Sequence, residues 1–272
     1  YSIYDISFDS NWLIEGGIRY DFSHINAYKY YRTSLWEARN YDELFPEIVV
    51  EDLGLNTLTN PKFNFNNFSS NLGTRYTINK GENIYFNYSI SSRKPNPSEL
   101  FSEGLHHSSA RIEIGDLSFN SEVGHNISLT YNFANEKSNL TVNSFANYVN
   151  DFIYIIPVDL MPTIAGVFPY WEYKQEDAKL FGFDIKYDRQ YFNNFFVGHQ
   201  FSLIKGYERE NNKPLINMPP ANLKNQISYN FPDFNNLNIS LESEFVFRQN
   251  EYPNNNFEVY IPTEQTYEWL DT

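Results

Sequence analysis

The chain has 272 residues, a net charge of -14 and no cysteine. Without cysteine there are no disulfides, thiolate metal sites or cysteine nucleophiles, and the acidic balance excludes nucleic acid, whose binding needs clustered Lys and Arg. The mean hydropathy is -0.54 and no run of eighteen apolar residues occurs, so a transmembrane helix is excluded while a β-barrel, whose alternating strands average out as polar, is not.

The length suits one large all-β domain or two modest ones. The 22 Tyr, 24 Phe and 4 Trp favour strands and the aromatic girdles of membrane–water boundaries. Strict period-2 alternation then recurs along the chain. Near the start, Trp12, Ile14, Ile18 and Tyr20 oppose Glu15, Arg19 and Asp21. Over 68–78, Phe68, Leu72, Thr74, Tyr76 and Ile78 share a face against Ser69, Asn71, Arg75 and Thr77. Ile84, Phe86, Tyr88 and Ile90 then oppose Tyr85, Asn87, Ser89 and Ser91, and Val123, Ile127, Leu129, Tyr131 and Phe133 oppose Gly124, Asn126, Ser128, Thr130 and Asn132. Downstream, Phe181, Phe183, Ile185 and Tyr187 alternate with Gly182, Asp184, Lys186 and Asp188. Leu223, Ile227, Tyr229 and Phe231 do so with Lys224, Gln226, Ser228 and Asn230. Leu237, Ile239, Leu241, Phe245 and Phe247 close the series against Asn238, Ser240, Glu242, Glu244 and Arg248. About ten strands result, several long enough to cross a bilayer at a tilt.

Alternation alone suits a soluble β-sandwich equally well, because both architectures bury one face. The connections separate the two. Short polar turns at Asn79-Lys80-Gly81, Asn135 to Ser138, Asn193-Asn194 and Asp233 to Asn236 take turns with long irregular stretches at 25–66, 92–120, 157–176, 206–221 and 248–265. Outer-membrane barrels connect their strands in this way. The expected fold is therefore all-β: a portion of a large antiparallel transmembrane β-barrel with short periplasmic turns and long extracellular loops. Its lumen would be lined by Glu15, Arg19, Asp21, Arg75, Asp184, Lys186, Asp188, Lys224, Glu242, Glu244 and Arg248. Charges of both signs suit a wide bore, wet or plugged. The 25–66 loop is acidic, with Glu37, Asp42, Glu43, Glu47, Glu51 and Asp52, and reads as a solvated surface loop; attraction of a cationic or metal-bearing ligand is the alternative. No phosphate loop, nucleophile elbow or zinc-protease motif is present, so no enzyme and no cofactor is expected.

Residues 87–122 run NYSISSRKPNPSELFSEGLHHSSARIEIGDLSFNSE. The stretch resembles TonB-dependent outer-membrane receptors. There a barrel strand ends in Arg-x-Pro, followed by Glu-Leu-Phe/Tyr, a Gly-x-His loop and a Gly-Asp/Asn-x-x-Leu-x-x-Glu entry into the next strand. The matching residues are Arg93, Pro95, Glu99, Leu100, Phe101, Gly104, His106, Gly115, Asp116 and Glu122, with Phe119 in place of Leu. Asn150 to Ile155, the block 173–184 ending Gly182-Phe183-Asp184, Leu215 to Ala221 and, less closely, Glu258 to Thr272 are similar to further family pieces in the family's order. The common order carries the resemblance.

The resemblance implies a C-terminal part of a barrel of roughly twenty-two strands, as in plugged outer-membrane transporters. The plug, the N-terminal strands and the final strands would lie outside residues 1–272. It implies active import of a scarce ligand, a metal ion or metallophore such as a zinc or iron complex. Energy would come from the TonB complex acting through the plug. Outer-membrane lipid and lipopolysaccharide are the remaining implied partners. The His106-His107 pair is similar to the zinc- and metal-uptake branch. Imidazole ligates zinc well, and Glu103, Glu113 or Asp116 would complete such a site. Loop 92–120 is thus the expected ligand contact. A passive porin or adhesion barrel, and a soluble aromatic-rich binding module, are the competing readings.

Overall fold

The structure is a computed structural model that describes residues 2–7 and 11–253; the Glu258 to Thr272 piece lies outside them. In chain order the elements are β1 (Ser2–Ser7), β2 (Trp12–Asn26), β3 (Lys29–Arg32), α1 (Thr33–Ala38), α2 (Tyr41–Leu44), β4 (Val49–Asp52), β5 (Asn56–Thr59), β6 (Lys62–Asn79) and β7 (Glu82–Arg93). Then come α3 (Pro97–Phe101), β8 (Glu103–His106), β9 (Arg111–Ile114), β10 (Glu122–Ala134), β11 (Ser138–Thr163), β12 (Gly166–Tyr191), β13 (Phe195–Glu208), β14 (Asn222–Phe231) and β15 (Leu237–Val246).

Ten of these strands make one antiparallel wall in the order β1-β2-β6-β7-β10-β11-β12-β13-β14-β15. The pairing registers align the alternation across the whole sheet. Trp12, Tyr76, Ile84, Tyr131, Val142, Ile185, Phe201, Leu223 and Phe245 form a continuous row of directly paired residues. On the opposite face, Asn83, Asn132, Thr141, Lys186, Gln200, Lys224 and Glu244 form another. A slip of one residue between any two strands would interrupt both rows, so the sequence pattern fixes the register.

The apolar row has no protein cover. Leu72 is 56% exposed, Leu129 48% and Leu241 70%. A sandwich would hide these side chains in a dry core. Hydrocarbon is the environment that suits them, and with it the polar row faces the bore. Three aromatic pairs stand near the short-turn end of the wall: Trp12 with Tyr76 at 4.7 Å between ring centres, Tyr191 with Phe195 at 6.2 Å and Tyr229 with Phe231 at 4.6 Å. They mark a membrane–water boundary.

The turns between β6 and β7, β10 and β11, β12 and β13, and β14 and β15 all lie at one end. Gly81, in the first of them, has φ +82°, and a Cβ there would meet the Ala134 carbonyl oxygen at 2.1 Å, so glycine is required. Among the described residues the long connections lie at the other end, and they differ from the sequence expectation. The 157–176 stretch is not an irregular loop. It continues β11 and β12 as a paired hairpin up to Thr163 and Gly166, with bulges near Val149/Phe152 and Pro157/Asp159. Pro157, Pro162 and Pro169 hide this in the sequence, since proline offers no N–H and reads as a strand breaker. The 25–66 stretch is likewise folded: β3, β5 and β4 form a three-stranded sheet, with α1, α2 and a 3₁₀ turn at Pro46–Ile48 between them. Residues 206–221 begin inside β13, which runs to Glu208. Arg248, expected in the lumen row, lies beyond the end of β15 in irregular chain.

Most of the buried apolar side chains sit at this long-loop end, not in the wall. One cluster joins Tyr31, Trp36, Tyr41, Ile48 and Leu117. A second joins Leu100, Phe119 and Ile153, with Ile25, Phe63, Phe65, Phe101 and Tyr173 against it. Phe63 and Phe65 stand on the polar, bore-facing side of β6 by its alternation. The connections therefore fold inward over the bore.

Candidate ligand-binding site

The 94–121 connection starts from a clamp. Arg93, at the end of β7, donates from Nε to Glu122 at 2.6 Å and from Nη1 to Glu99 at 3.0 Å. Glu99 also accepts from the Asn96 backbone N–H at 2.8 Å, and the Asn96 side chain accepts from the N–H groups of Ser98 and Glu99. This reciprocal cap starts α3. Glu122 accepts the Ile153 N–H at 2.6 Å. The chain then forms the β8–β9 hairpin, and β9 pairs in parallel with Tyr170–Glu172 of β12. To do so the connection passes from β7 over β10 and β11. Gly115 permits the close return, since a Cβ there would stand 2.6 Å from the Glu99 carbonyl oxygen.

Asp116 accepts from the Tyr41 hydroxyl at 2.8 Å and from the Ser118 N–H at 2.9 Å, and lies 3.6 Å from Arg39. Glu113 is buried, bonded to Arg111 at 2.7 Å. Glu103 accepts from the Arg32 backbone and side chain at 3.1 and 3.3 Å and lies 3.5 Å from Lys29. His106 is exposed at the end of β8, its Nδ1 lying 3.0 Å from Ser109 Oγ and 3.2 Å from Ser108 Oγ. His107 follows, exposed in the turn. The structure does not gather the five. The carboxylates are engaged in holding the lobe together while the histidines face solvent, and no group of three or more His, Asp or Glu suited to a metal occurs among the described residues.

Sequence reasoning missed the residues that organise the lobe. Arg39 donates to the Gly115 carbonyl at 3.2 Å and to Glu172 at 3.3 Å. It thereby joins the 27–61 lobe, the 94–121 connection and the β11–β12 hairpin. Tyr41 completes the join, its hydroxyl accepting the Leu117 N–H at 3.1 Å. The one signal for these residues was a lone arginine among acids beside Trp36 and Tyr41.

Burial, then neighbouring Tyr41 and Glu103, push the Tyr31 phenol well above its ordinary range. Burial and then Asp116 do the same to Tyr41, and burial and then Glu172 push Tyr170 up to about 12. Each folded-state pKa is raised above the unfolded value of about 10. The neutral phenols therefore favour the fold fully below that value, and the contribution is lost as pH climbs through it toward the raised ones. The lobe is expected to loosen between about pH 10 and about pH 12. Near-ultraviolet circular dichroism follows it, and the Tyr41→Phe variant should lose part of the alkaline transition. An unchanged aromatic signal across that window would contradict the assignment.

An open, lipid-facing antiparallel wall with a folded lobe at one end defines an outer-membrane β-barrel segment. Over residues 1–267 the chain matches the family described as "TonB dependent receptor-like, beta-barrel", and it belongs to that family. The outer membrane is accordingly its location, with the long-loop end extracellular. Among solved structures it is similar to the copper transporter OprC (TM-score 0.70, 14% identity, 92% of this chain and 35% of that one). It is also similar to the Serratia marcescens hemophore receptor HasR, solved with its hemophore HasA and heme (0.56, 14%, 89% and 42%). The alcaligin outer-membrane receptor FauA from Bordetella pertussis is a third (0.56, 13%, 91% and 36%). The chain thus spans 35% to 42% of the length of these structures. No curated protein matches it.

Proposed function

We propose that this chain is part of an active-import receptor: a scarce ligand is captured at the extracellular lobe and passed through the bore with energy delivered by TonB. The observation that carries the reading is that the long connections are folded, braced by Arg39 and Arg93, and packed inward over the bore through Phe63 and Phe65. A braced roof of this kind suits capture of a ligand at the mouth of the bore. Family membership supports the reading, as do structural neighbours that are a copper transporter, a hemophore receptor with heme and an alcaligin receptor. A metal ion or metallophore is therefore the proposed cargo. A plug and further wall strands outside this segment belong to the same proposal, supported by the share of each neighbour that the chain covers. Glu103, Glu113 and Asp116 serve by holding the loop, and the exposed His106–His107 turn is its ligand-facing part.

The test is metal accumulation in cells under iron, zinc or copper limitation. Deleting the gene should lower accumulation of one of these metals, complementation should restore it, and disrupting TonB should abolish the restored part. Accumulation that survives loss of TonB would point to a passive pore and sink the reading. Replacing His106 and His107 with Ala should lower uptake if the turn meets the cargo; unchanged uptake removes the pair from the ligand path.

A further inference from the structure

We propose that the lobe contains a binding cavity for an uncharged, flat, largely apolar organic group. The cavity has a volume of about 550 Å³, within the range of small-molecule sites. Pro157, Pro169 and Trp171 of the β11–β12 hairpin form one wall, and Leu215, Ile216 and Met218 of the β13–β14 connection form the other. Rigid proline rings and an indole offer flat apolar surfaces that lose little freedom when a ring lies against them.

The walls are fixed before any ligand arrives. Leu215 is 3% exposed, and its N–H donates to the Gly206 carbonyl at 2.9 Å. A Cβ at Gly206 would stand 2.7 Å from Met218 Sδ and 3.0 Å from Leu215 Cδ1, so the missing side chain is what lets the connection settle on β13. On the other side Arg111 lies over the Trp171 ring at 4.6 Å from its centre.

The charge state of the ligand follows from the rim. Arg111 is matched by Glu113, and Glu251 is paired with Lys205 and accepts from Tyr207. The Gln249 amide donates to the Met218 carbonyl at 2.8 Å and accepts the Glu251 N–H at 3.1 Å. The charges around the cavity are thus compensated in place. A charged group entering would be desolvated without a counter-charge, whereas an uncharged ring exchanges water for apolar contact.

This names the part of the cargo that the lobe recognises and rests on the import reading only for the cargo's source. The test uses the intact protein in nanodiscs, without TonB, labelled with 5-fluorotryptophan; the Trp171 resonance is assigned with Trp171→Phe. The probes are 2-naphthol, 2-naphthoate and 2-naphthylmethylammonium, which share a shape and differ in charge. Naphthol should shift the Trp171 signal saturably, at a concentration at least about ten-fold below either charged analogue. Ile216→Trp, which fills the cavity, should abolish the shift while leaving the Trp12 signal in place as a check on folding. Three results would each overturn the proposal: equal shifts at Trp12 and Trp171, which signify partition into the bilayer; equal or tighter binding of a charged probe; or binding that survives Ile216→Trp. Because no TonB is present, a negative result leaves the cellular import test standing, and failed import leaves the cavity measurement standing.

Discussion

Arg93→Ala is expected to release the 94–121 connection from the wall and to cost about 3 kcal/mol. Glu99 and Glu122 have side chains only 9% and 10% exposed, and Arg93 is the cation that both share. Removing it leaves two nearly buried carboxylates facing each other. Breaking a buried pair costs about 3–5 kcal/mol, and the low end applies because Arg93 itself is 45% exposed. Guanidinium titration in vesicles reads the stability, and limited proteolysis of the intact protein reads the connection. Cleavage within 94–121 should appear in Arg93→Ala, while Arg93→Lys should fall between it and the parent, since an ammonium cannot reproduce the fork to both partners. A variant as protease-resistant as the parent would show that Glu99 and Glu122 are held by other means.

The second large effect tests the orientation of the wall. Leu129 stands on the apolar face of β10, paired with Phe86 and Ser144, whereas Ser128 stands on the polar face between Asn87 and Phe145. Leu129→Arg places a guanidinium in hydrocarbon and should cost about 2–4 kcal/mol if it lies near the midplane. Ser128→Arg places the same group in the bore and should change stability by less than about 1 kcal/mol. Two adjacent residues thus receive one substitution with very different outcomes. Equal costs at both positions would mean that the faces do not see different solvents.

The wall was legible because a bilayer on one side and water on the other impose period 2 on each strand. Trp12, Ile84, Ile185 and Phe245 announced their face from the alternation alone, and the structure pairs them into one row. The hairpin tip was illegible because Pro157, Pro162 and Pro169 mimic strand breakers, although each sits opposite a paired residue. The 27–61 lobe was hidden for a different reason. Helices α1 and α2 have six and four residues and no side-chain cap at their N-termini, too little for periodicity to register.

The candidate site shows the limit most clearly. From the sequence, Asp116, Glu103 and Glu113 are expected as acids of the ligand-contacting loop. The sequence does not show that Tyr41, Arg39, Arg32 and Lys29, far upstream, engage Asp116 and Glu103. Contacts at that separation are set by the whole wall. The Arg93, Glu99 and Glu122 positions that carried the family resemblance form a clamp between β7, α3 and β10.

The parallel pairing of β9 with β12 has a consequence for assembly. The strap that ends in β9 precedes β12 in the chain, yet its last hydrogen bonds are made to Tyr170, Trp171 and Glu172, on a strand three places round from the β7 it leaves. It has nowhere to dock until the β11–β12 hairpin has formed. The roof over the bore therefore latches only once β12 stands beside β11.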